Sequence, residues 1–401
     1  VFCWMRGEGK CQGKGSKILM FNGSVKKVED VKIGDLLMGD DNTPRKVLSL
    51  ANGTEELFEI VPIRGESLTV TGDHILSLKG RRRFVNRRGK PYHDLNEDKI
   101  TDISLKDYIE TNCAFKRYHL LYRVPVDFPK QTVNIDPYFL GIWLGDGTST
   151  LPSVTTMDKE VADHLQNYAD QLGLKLTVHG KKGNKAKTYN IVGERSGIAG
   201  TNSLLNLLRD YNLIGNKHIP QEYKANSREN RLQLLAGIVD SDGYVNRNSI
   251  QFTFKSKILS EDIVFLARSL GFHAEMKKCT KTIKSIGFIG EYYRIGISGD
   301  CSIVPTRIAR KKFTPRSKWK DILVTGIKEV KSVGEQEYYG FNLDGNGRYV
   351  TADFTVTHNS LDACLIQLWK FFCWPRQQIM LGANSKDQVK FVHYDIMRDI
   401  I

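Results

Sequence analysis

The sequence predicts a multidomain chain: an all-β domain divided in two, an α/β domain of two similar halves set inside it, and short α/β pieces at either end. Three observations carry that reading. β-Branched runs punctuated by Gly, Asn and Asp turns fill residues 11 to about 130 and about 321 to 360. The text FLGIWLGDG at Phe139–Gly147 returns as LAGIVDSDG at Leu235–Gly243, so Asp146 and Asp242 stand 96 residues apart in an internal repeat. The two termini, finally, read as one strand–turn–helix unit that everything else interrupts.

At 401 residues the chain has room for two or three domains, each with its own core. Its 40% hydrophobic and 26% charged residues are globular proportions and exclude a disordered chain. The 59 Lys and Arg against 45 Asp and Glu leave a net charge of +14, which points to a polyanionic partner, most often nucleic acid. Seven cysteines, an odd number without a CxxC pair, fit neither a disulfide framework nor a zinc cluster and suit a reducing, cytoplasmic interior. The longest apolar stretch, Leu361 to Trp374, is short and broken by Asp362, Gln367 and Lys370, so no membrane span is expected. No signal peptide opens the sequence.

Val1 to Trp4 reads as a buried strand entering a turn with Gly7, Gly9 and Lys10. Ser360 opens a stretch with helical apolar spacing at Leu361, Cys364, Leu365 and Leu368, followed by a strand, QQIMLGA, and a helix from Lys386 to Ile401. Joining Lys10 to Ser360 gives strand–RGEGKS–helix, the shape of a phosphate-binding P-loop. There, backbone N–H groups and Lys10 would hold ATP phosphates and the Ser360 hydroxyl would reach Mg²⁺. The first glycine of GxxxxGKS falls at Trp4, so the match is a deviant one. The joined text, 52 residues in all, resembles the ATPase domain of phage terminase large subunits, which implies a phage-infected or prokaryotic cell. Residues 11 to 359, 349 in number, would abolish that phosphate site while present. An insertion of this kind is best explained if it removes itself.

Its edges carry acyl-transfer chemistry. A Cys11 thiol can attack the Lys10 carbonyl and form a thioester, the Ser360 hydroxyl can attack that thioester, and the Asn359 side chain can close on its own carbonyl. Taken singly, each has a bland reading, a small buried hydrophobe for Cys11 and a turn for Asn359–Ser360. Both ends together make coincidence improbable. The blocks CQGKGSKILMFNGSVKKVEDVKIGDLL, SLTVTGDHILSL and YYGFNLDGNGRYVTADFTVTHNS resemble the splicing blocks of inteins, particularly those of the yeast vacuolar ATPase type. The resemblance implies an all-β Hint fold that brings the edges together. It assigns Cys11 as first nucleophile, Thr71 as the residue orienting its amide, and His74 as proton donor to the departing amine. It also assigns transesterification to Ser360 and cyclisation to Asn359, assisted by His358, with no cofactor. Many inteins have an Asp and a His upstream of the terminal pair; the matching positions here are Gly340 and Gly347.

In the middle, each Asp–Gly ends an apolar helix, where the macrodipole disfavours negative charge and two carboxylates repel each other. Divalent cations make sense of that placement. A single Asp–Gly would be a turn signal; two within a repeat reverse the odds. Each motif is followed by a helix ending in Leu–Gly, at Leu172–Gly173 and Leu270–Gly271. Gly141 and Gly145, facing Ala236 and Gly237, would let two helices approach closely. The motifs resemble the LAGLIDADG pair of homing endonucleases over residues 132 to 318, which implies two αββαββα-type halves in pseudo-symmetry. It further implies Mg²⁺ bound by Asp146 and Asp242, with basic residues nearby: Lys217, and Lys312 with Lys311 as alternative. The partner it implies is double-stranded DNA of the intein-less allele, cut by a monomer.

Arg81, Arg82, Arg83, Arg87, Arg88 and Lys90 form an acid-free run, a candidate DNA-recognition arm. A second run takes in Arg307, Arg310, Lys311, Lys312, Arg316, Lys318 and Lys320, and a third Lys277, Lys278, Lys281 and Lys284. The expected division is thus host residues 1–10, a Hint part at 11–131 with a basic insertion about 80–125, an endonuclease at 132–320, a second Hint part at 321–359, and host residues 360–401. The competing readings are a splicing element with a degenerate, DNA-binding-only nuclease, and a P-loop ATPase with a regulatory insertion.

Overall fold

A computed structural model describes residues 11–81, 99–180, 183, 185–193, 201–283, 288–314 and 321–359. The host strand, turn and helices, with Gly7, Gly9, Lys10 and Ser360, lie outside the described residues. So do Arg82, Arg83, Arg87, Arg88 and Lys90 of the basic arm, and Lys284, Arg316, Lys318 and Lys320 of the other runs. The chain divides into two compact units, one closing at Val124 and resuming at Leu323, the other running from Pro125 to Ile322.

Strands dominate the first unit. Pro44–Pro62 begins with strict alternation of exposed and buried residues, the mark of a half-buried strand, and pairs along its length with Ile327–Leu343. Between Ile327–Leu343 and Leu68–Thr71 lies the short strand Gln12–Gly13, which carries Cys11 at its start. A second sheet runs in the order Val324–Thr325, His119–Tyr122, Ile75–Gly80, Val356–His358 and Arg348–Val350, with Ile100–Ser104 added beside Ile75–Gly80. Two apolar clusters fill the unit, one around Ile18, Leu37, Val47, Phe341 and Tyr349, the other around Ile60, Val70, Leu76, Leu78 and Leu121. The points where the chain leaves and re-enters the unit are neighbours: Arg123 N–H donates to the Leu323 carbonyl at 2.8 Å, and Val324 pairs with Tyr122.

Within the stretch about 80–125, Ile100–Ser104 and His119–Tyr122 are strands of the second sheet. Between them lie helices Leu105–Glu110 and Cys113–Tyr118, started by the Ser104 and Asn112 side chains accepting from Asp107 N and Phe115 N.

The second unit is built on helices Pro137–Asp146 and Arg228–Asp242. Asp136 caps the first, with Pro137 at its opening turn, and Ser227 caps the second. Tyr138 to Leu144 and Leu234 to Asp240 are buried without a break, so both helices are apolar all round where they meet. Glycine permits that contact. A Cβ on Gly237 would sit 2.2 Å from the Tyr138 carbonyl, and one on Gly141 would sit 2.3 Å from the Leu234 carbonyl. Gly141 faces Gly237, as the sequence suggests, but Gly145 meets Ser241 rather than Ala236.

The halves differ in their sheets. The second has four strands in the order Tyr244–Asn246, Ser249–Phe254, Phe288–Ser298 and His273–Ile283. The first has three, Ser153–Thr156, Lys187–Val192 and Lys175–Gly180, and the hairpin arm that Tyr244–Asn246 supplies is reduced to one bridge, Gly147 to Val154. Helices Lys159–Gln171 and Lys257–Ser269 end at the Leu–Gly pairs, with Gly173 and Gly271 at φ +67° and +89°, the left-handed turn that closes a helix. Gly237→Val should therefore be far costlier than a surface glycine substitution. The expected loss is about 1–3 kcal/mol or more, from overpacking against the Tyr138 backbone, read as a lowered unfolding midpoint of the second unit.

Candidate splicing and nuclease sites

The turn after Leu68–Thr71 touches both edges of the insertion. Thr71 N–H donates to the Cys11 carbonyl at 3.1 Å, and Cys11 N–H donates to Thr71 Oγ1 at 3.4 Å. Three residues on, His74 Nε2 lies 2.6 Å from Thr357 Oγ1, and the next residue, Ile75, pairs with His358. Cys11, Thr71, His74, Thr357, His358 and Asn359 are all buried. Asn359 N–H donates to the Gly347 carbonyl at 2.8 Å, which ties the last residue of the insertion to its own sheet.

The space beside the two glycines noted at intein positions for Asp and His is taken by Cys11 and by the His358–Asn359 pair. A Cβ on Gly340 would stand 2.4 Å from Cys11 Sγ. On Gly347, whose φ is +71°, it would stand 2.3 Å from the Asn359 carbonyl oxygen and 3.2 Å from His358 Nε2. Burial first, and then the charge of Glu55, push the Cys11 thiol well above its ordinary range, so it rests protonated. Thr357 and the Gly347 carbonyl have no signature in composition or spacing. Only the strand register places them.

In the second unit Asp146 and Asp242 are the last residues of the two glycine-paired helices. Both stay open to solvent at their outer edge. Desolvation at the crowded helix ends, and then the charge of Asp242, lift Asp146 to about 6. Desolvation also raises Asp242, against the pull of Lys217 and Lys311. Lys217 Nζ donates to the carbonyls of Leu144, Gly145 and Gly147 at 3.1, 3.2 and 2.7 Å, and lies over the Trp143 ring. Lys311 Nζ does the same for Val239, Asp240 and Ser241 at 2.8–2.9 Å. Each lysine thus closes the end of the helix that carries an aspartate. Desolvation lowers Lys217 to about 8.

The expectation for Lys312 is corrected: the short turn Ala309–Lys311 points Lys311 inward, and Lys312 is exposed. Among the described residues no three His, Cys, Asp or Glu side chains gather as a metal cluster. The two carboxylates nonetheless suit a hard cation, since both are hard oxygen donors held against mutual repulsion.

Comparison with known proteins follows the same division. The family model described as Hom_end-associated Hint matches residues 11–132, and the Homing endonuclease model matches twice, at 131–218 and 218–302. The chain joins an intein Hint domain to a homing endonuclease domain. It is 27% identical over 261 residues to the replicative DNA helicase of Mycobacterium intracellulare, covering 61% of this chain and 40% of that one. To the V-type proton ATPase of Candida tropicalis, in its catalytic chain, it is 22% identical over 477 residues, 87% and 43% of the two chains. To the homothallic switching endonuclease of Saccharomyces cerevisiae it is 25% identical over 264 residues, 57% and 44%. The chain spans less than half the length of these curated relatives.

The basic runs fare differently in the homing endonuclease domain. Arg307 lies on the Tyr138 ring at 3.7 Å, Arg310 pairs with Asp158, and Lys311 is spent on its helix end. In the described part of that run, Lys312 is exposed and acts on the charge of Glu160. Lys277, Lys278 and Lys281 stand exposed on His273–Ile283, pairing with Glu275, Glu291 and the Tyr292 ring. Arg81, at the start of the basic arm, donates its backbone N–H to Tyr118.

A carboxyl whose folded pKa is raised favours the folded state below its unfolded value and loses that contribution as pH rises through the folded one. For Asp146 that window runs from 3.8 to about 6. Asp146→Asn should therefore melt at a higher temperature than the unsubstituted chain at neutral pH without divalent cation. The gap should shrink as pH falls toward 3.8 in thermal scans.

Proposed function

We propose that residues 11–359 excise themselves and ligate Lys10 to Ser360. What carries the reading is that a single turn, Thr71 to His74, holds Cys11 at one edge and, through Thr357 and Ile75, the His358–Asn359 pair at the other. Cys11 Sγ adds to the Lys10 carbonyl carbon. The thiol gives up its proton as sulfur adds, the bond to Cys11 nitrogen breaks, and that nitrogen takes a proton from His74, which the thiol proton then restores. Thr71 grips Cys11 on both its N–H and its carbonyl and so fixes the amide for attack. General acid help of this kind contributes about 10²–10⁴-fold. Ser360 Oγ then takes the acyl group from sulfur and forms a branched ester. Asn359 Nδ2 loses a proton as it closes on its own carbonyl carbon, the bond to Ser360 nitrogen breaks, and His358 donates the proton that nitrogen needs and regains the one Nδ2 gives up. An O-to-N shift leaves a Lys10–Ser360 amide.

The second half of the proposal is cleavage of double-stranded DNA at the intein-less allele around the Lys10–Ser360 codons. Asp146 and Asp242 would hold Mg²⁺ jointly with phosphate and water. The bound ion would lower the pKa of water and polarise the scissile phosphate. Lys217 and Lys311 keep the two helix ends closed, so that the carboxylates are presented at one place. Basic residues of the arm, Arg81 to Lys90, with Lys277 and Lys281, would take phosphates. The ligated host segment reads as the P-loop of a terminase-like ATPase that binds ATP and Mg²⁺. The proposed setting is a monomer in the cytoplasm of a phage-infected or prokaryotic cell. Among the described residues no helix is long and apolar enough to cross a membrane.

Intact mass of the purified chain tests the first half. The 45.5 kDa precursor should give a 349-residue intein and a 52-residue product, and Cys11→Ala with Asn359→Ala should freeze it. A ligated product from the double variant would sink the edge assignment. For the second half, intein with Mg²⁺ should linearise a plasmid bearing the intein-less allele. Asp146→Asn or Asp242→Asn should abolish cutting while gel-shift affinity stays close to unsubstituted. An uncut plasmid with the unsubstituted intein would put the degenerate-nuclease reading first.

A further inference from the structure

The Hint domain has glycine where many inteins have an assisting Asp and His, so His358 needs other company. The second sheet supplies it. His358 pairs directly with Arg348 on one side and Ile75 on the other, and directly paired residues in antiparallel strands share a face. Ser77, two residues beyond Ile75, stands on that same face, and Asp102 is its partner across the next strand. The side chains close the set. Ser77 Oγ donates to Asp102 Oδ1 at 2.7 Å, and the Arg348 guanidinium donates to both Asp102 oxygens. The side chains of Arg348 and Asp102 are 20% and 30% exposed, so solvent screens this pair in part.

We propose that Asp102 is a positioning residue for His358: by offsetting the charge of Arg348 on the shared face, it lets His358 keep the proton that Asn359 cyclisation consumes. The inference rests on the splicing reading above. Without Asp102, a bare guanidinium would face an imidazole that must become positive. Without Arg348, the opposite bias would hold. Partial burial works against ionised Asp102, yet hydrogen bonds from Arg348 and Ser77 and the charge of His358 hold it below the usual carboxylate range. The other titratable groups around the face are Lys79, one pair beyond Ser77, His74 on the preceding turn, and Tyr122 and Asp40, which act on Arg348. At the reacting end, Gly347 leaves room for His358 Nε2 and the Asn359 carbonyl oxygen, both within 3.2 Å of one point. Asp102 touches neither reacting atom; it acts through His358.

The test uses the full chain and follows branched ester and spliced product by intact mass across the range where imidazole titrates. Hydroxylamine capture of the Cys11 thioester reports separately on the other edge. Asp102→Asn should slow resolution of the branch about tenfold at neutral pH, the factor that one unit of proton affinity brings, and move its half-maximal pH lower. Thioester capture should be unchanged. Arg348→Gln should move the half-maximal pH higher, and the double variant should return toward the unsubstituted value, a rescue that a merely structural role would not give. Should Asp102→Asn fail to fold, the direction of the Arg348→Gln shift still decides. Unchanged pH dependence in the single variants, or shifts in one direction for both, overturns the role of Asp102. An unsubstituted chain that never splices overturns the functional reading beneath it as well.

Discussion

Thr71 and Cys11 exchange two hydrogen bonds, and the geometry of the Hint domain is arranged around that exchange. It sets the first residue of the insertion on a sheet rather than in a loose terminus. Three residues later the same turn delivers His74 to Thr357 and begins the strand that pairs with His358. Residues nearly the whole insertion apart in sequence are thereby brought to one short segment. Order there costs backbone entropy, about 1–2 kcal/mol per residue fixed, and it is offset by the buried clusters on either side of the strands.

The endonuclease domain answers a comparable demand in the opposite way. Where the Hint domain buries Cys11, Thr71 and Asn359, the helix pair exposes two carboxylates at the least favourable end of each dipole. Close glycine contact forces the helix ends together, and Lys217 and Lys311 satisfy the carbonyls left over. Desolvation first, and then the charge of Asp242, hold Asp146 above the usual carboxylate range, so repulsion is part of the cost of this arrangement. Such repulsion is a property a cation-binding site uses, because the ion relieves it.

Much of this was legible in the sequence, and the failures have physical reasons. Asp–Gly after an apolar run located both helix ends, and Leu–Gly located both left-handed closures, because each signal is local. Lys311 and Lys312 could not be ranked in that way. Which one turns inward depends on the short turn Ala309–Lys311, whose phase spacing does not record. The acid-free run from Arg307 read as a phosphate surface, yet Arg307 and Arg310 are spent on Tyr138 and Asp158. A charge run has a sign but no direction. The strand pairs linking Ser77, Asp102, Arg348 and His358 were equally hidden, since cross-strand partners follow from register alone.

Arg123 and Leu323 are hydrogen-bonded neighbours although the whole second unit lies between them in sequence. To the sheet that contains them, that unit is a side loop of great length closed at its neck. Loop-closure cost grows only with the logarithm of length, so the sheet is nearly indifferent to what the loop contains. Selection on the two activities can then proceed at separate rates. A nuclease could decay, or be exchanged for another, while the strands that hold Cys11 and Asn359 keep their register.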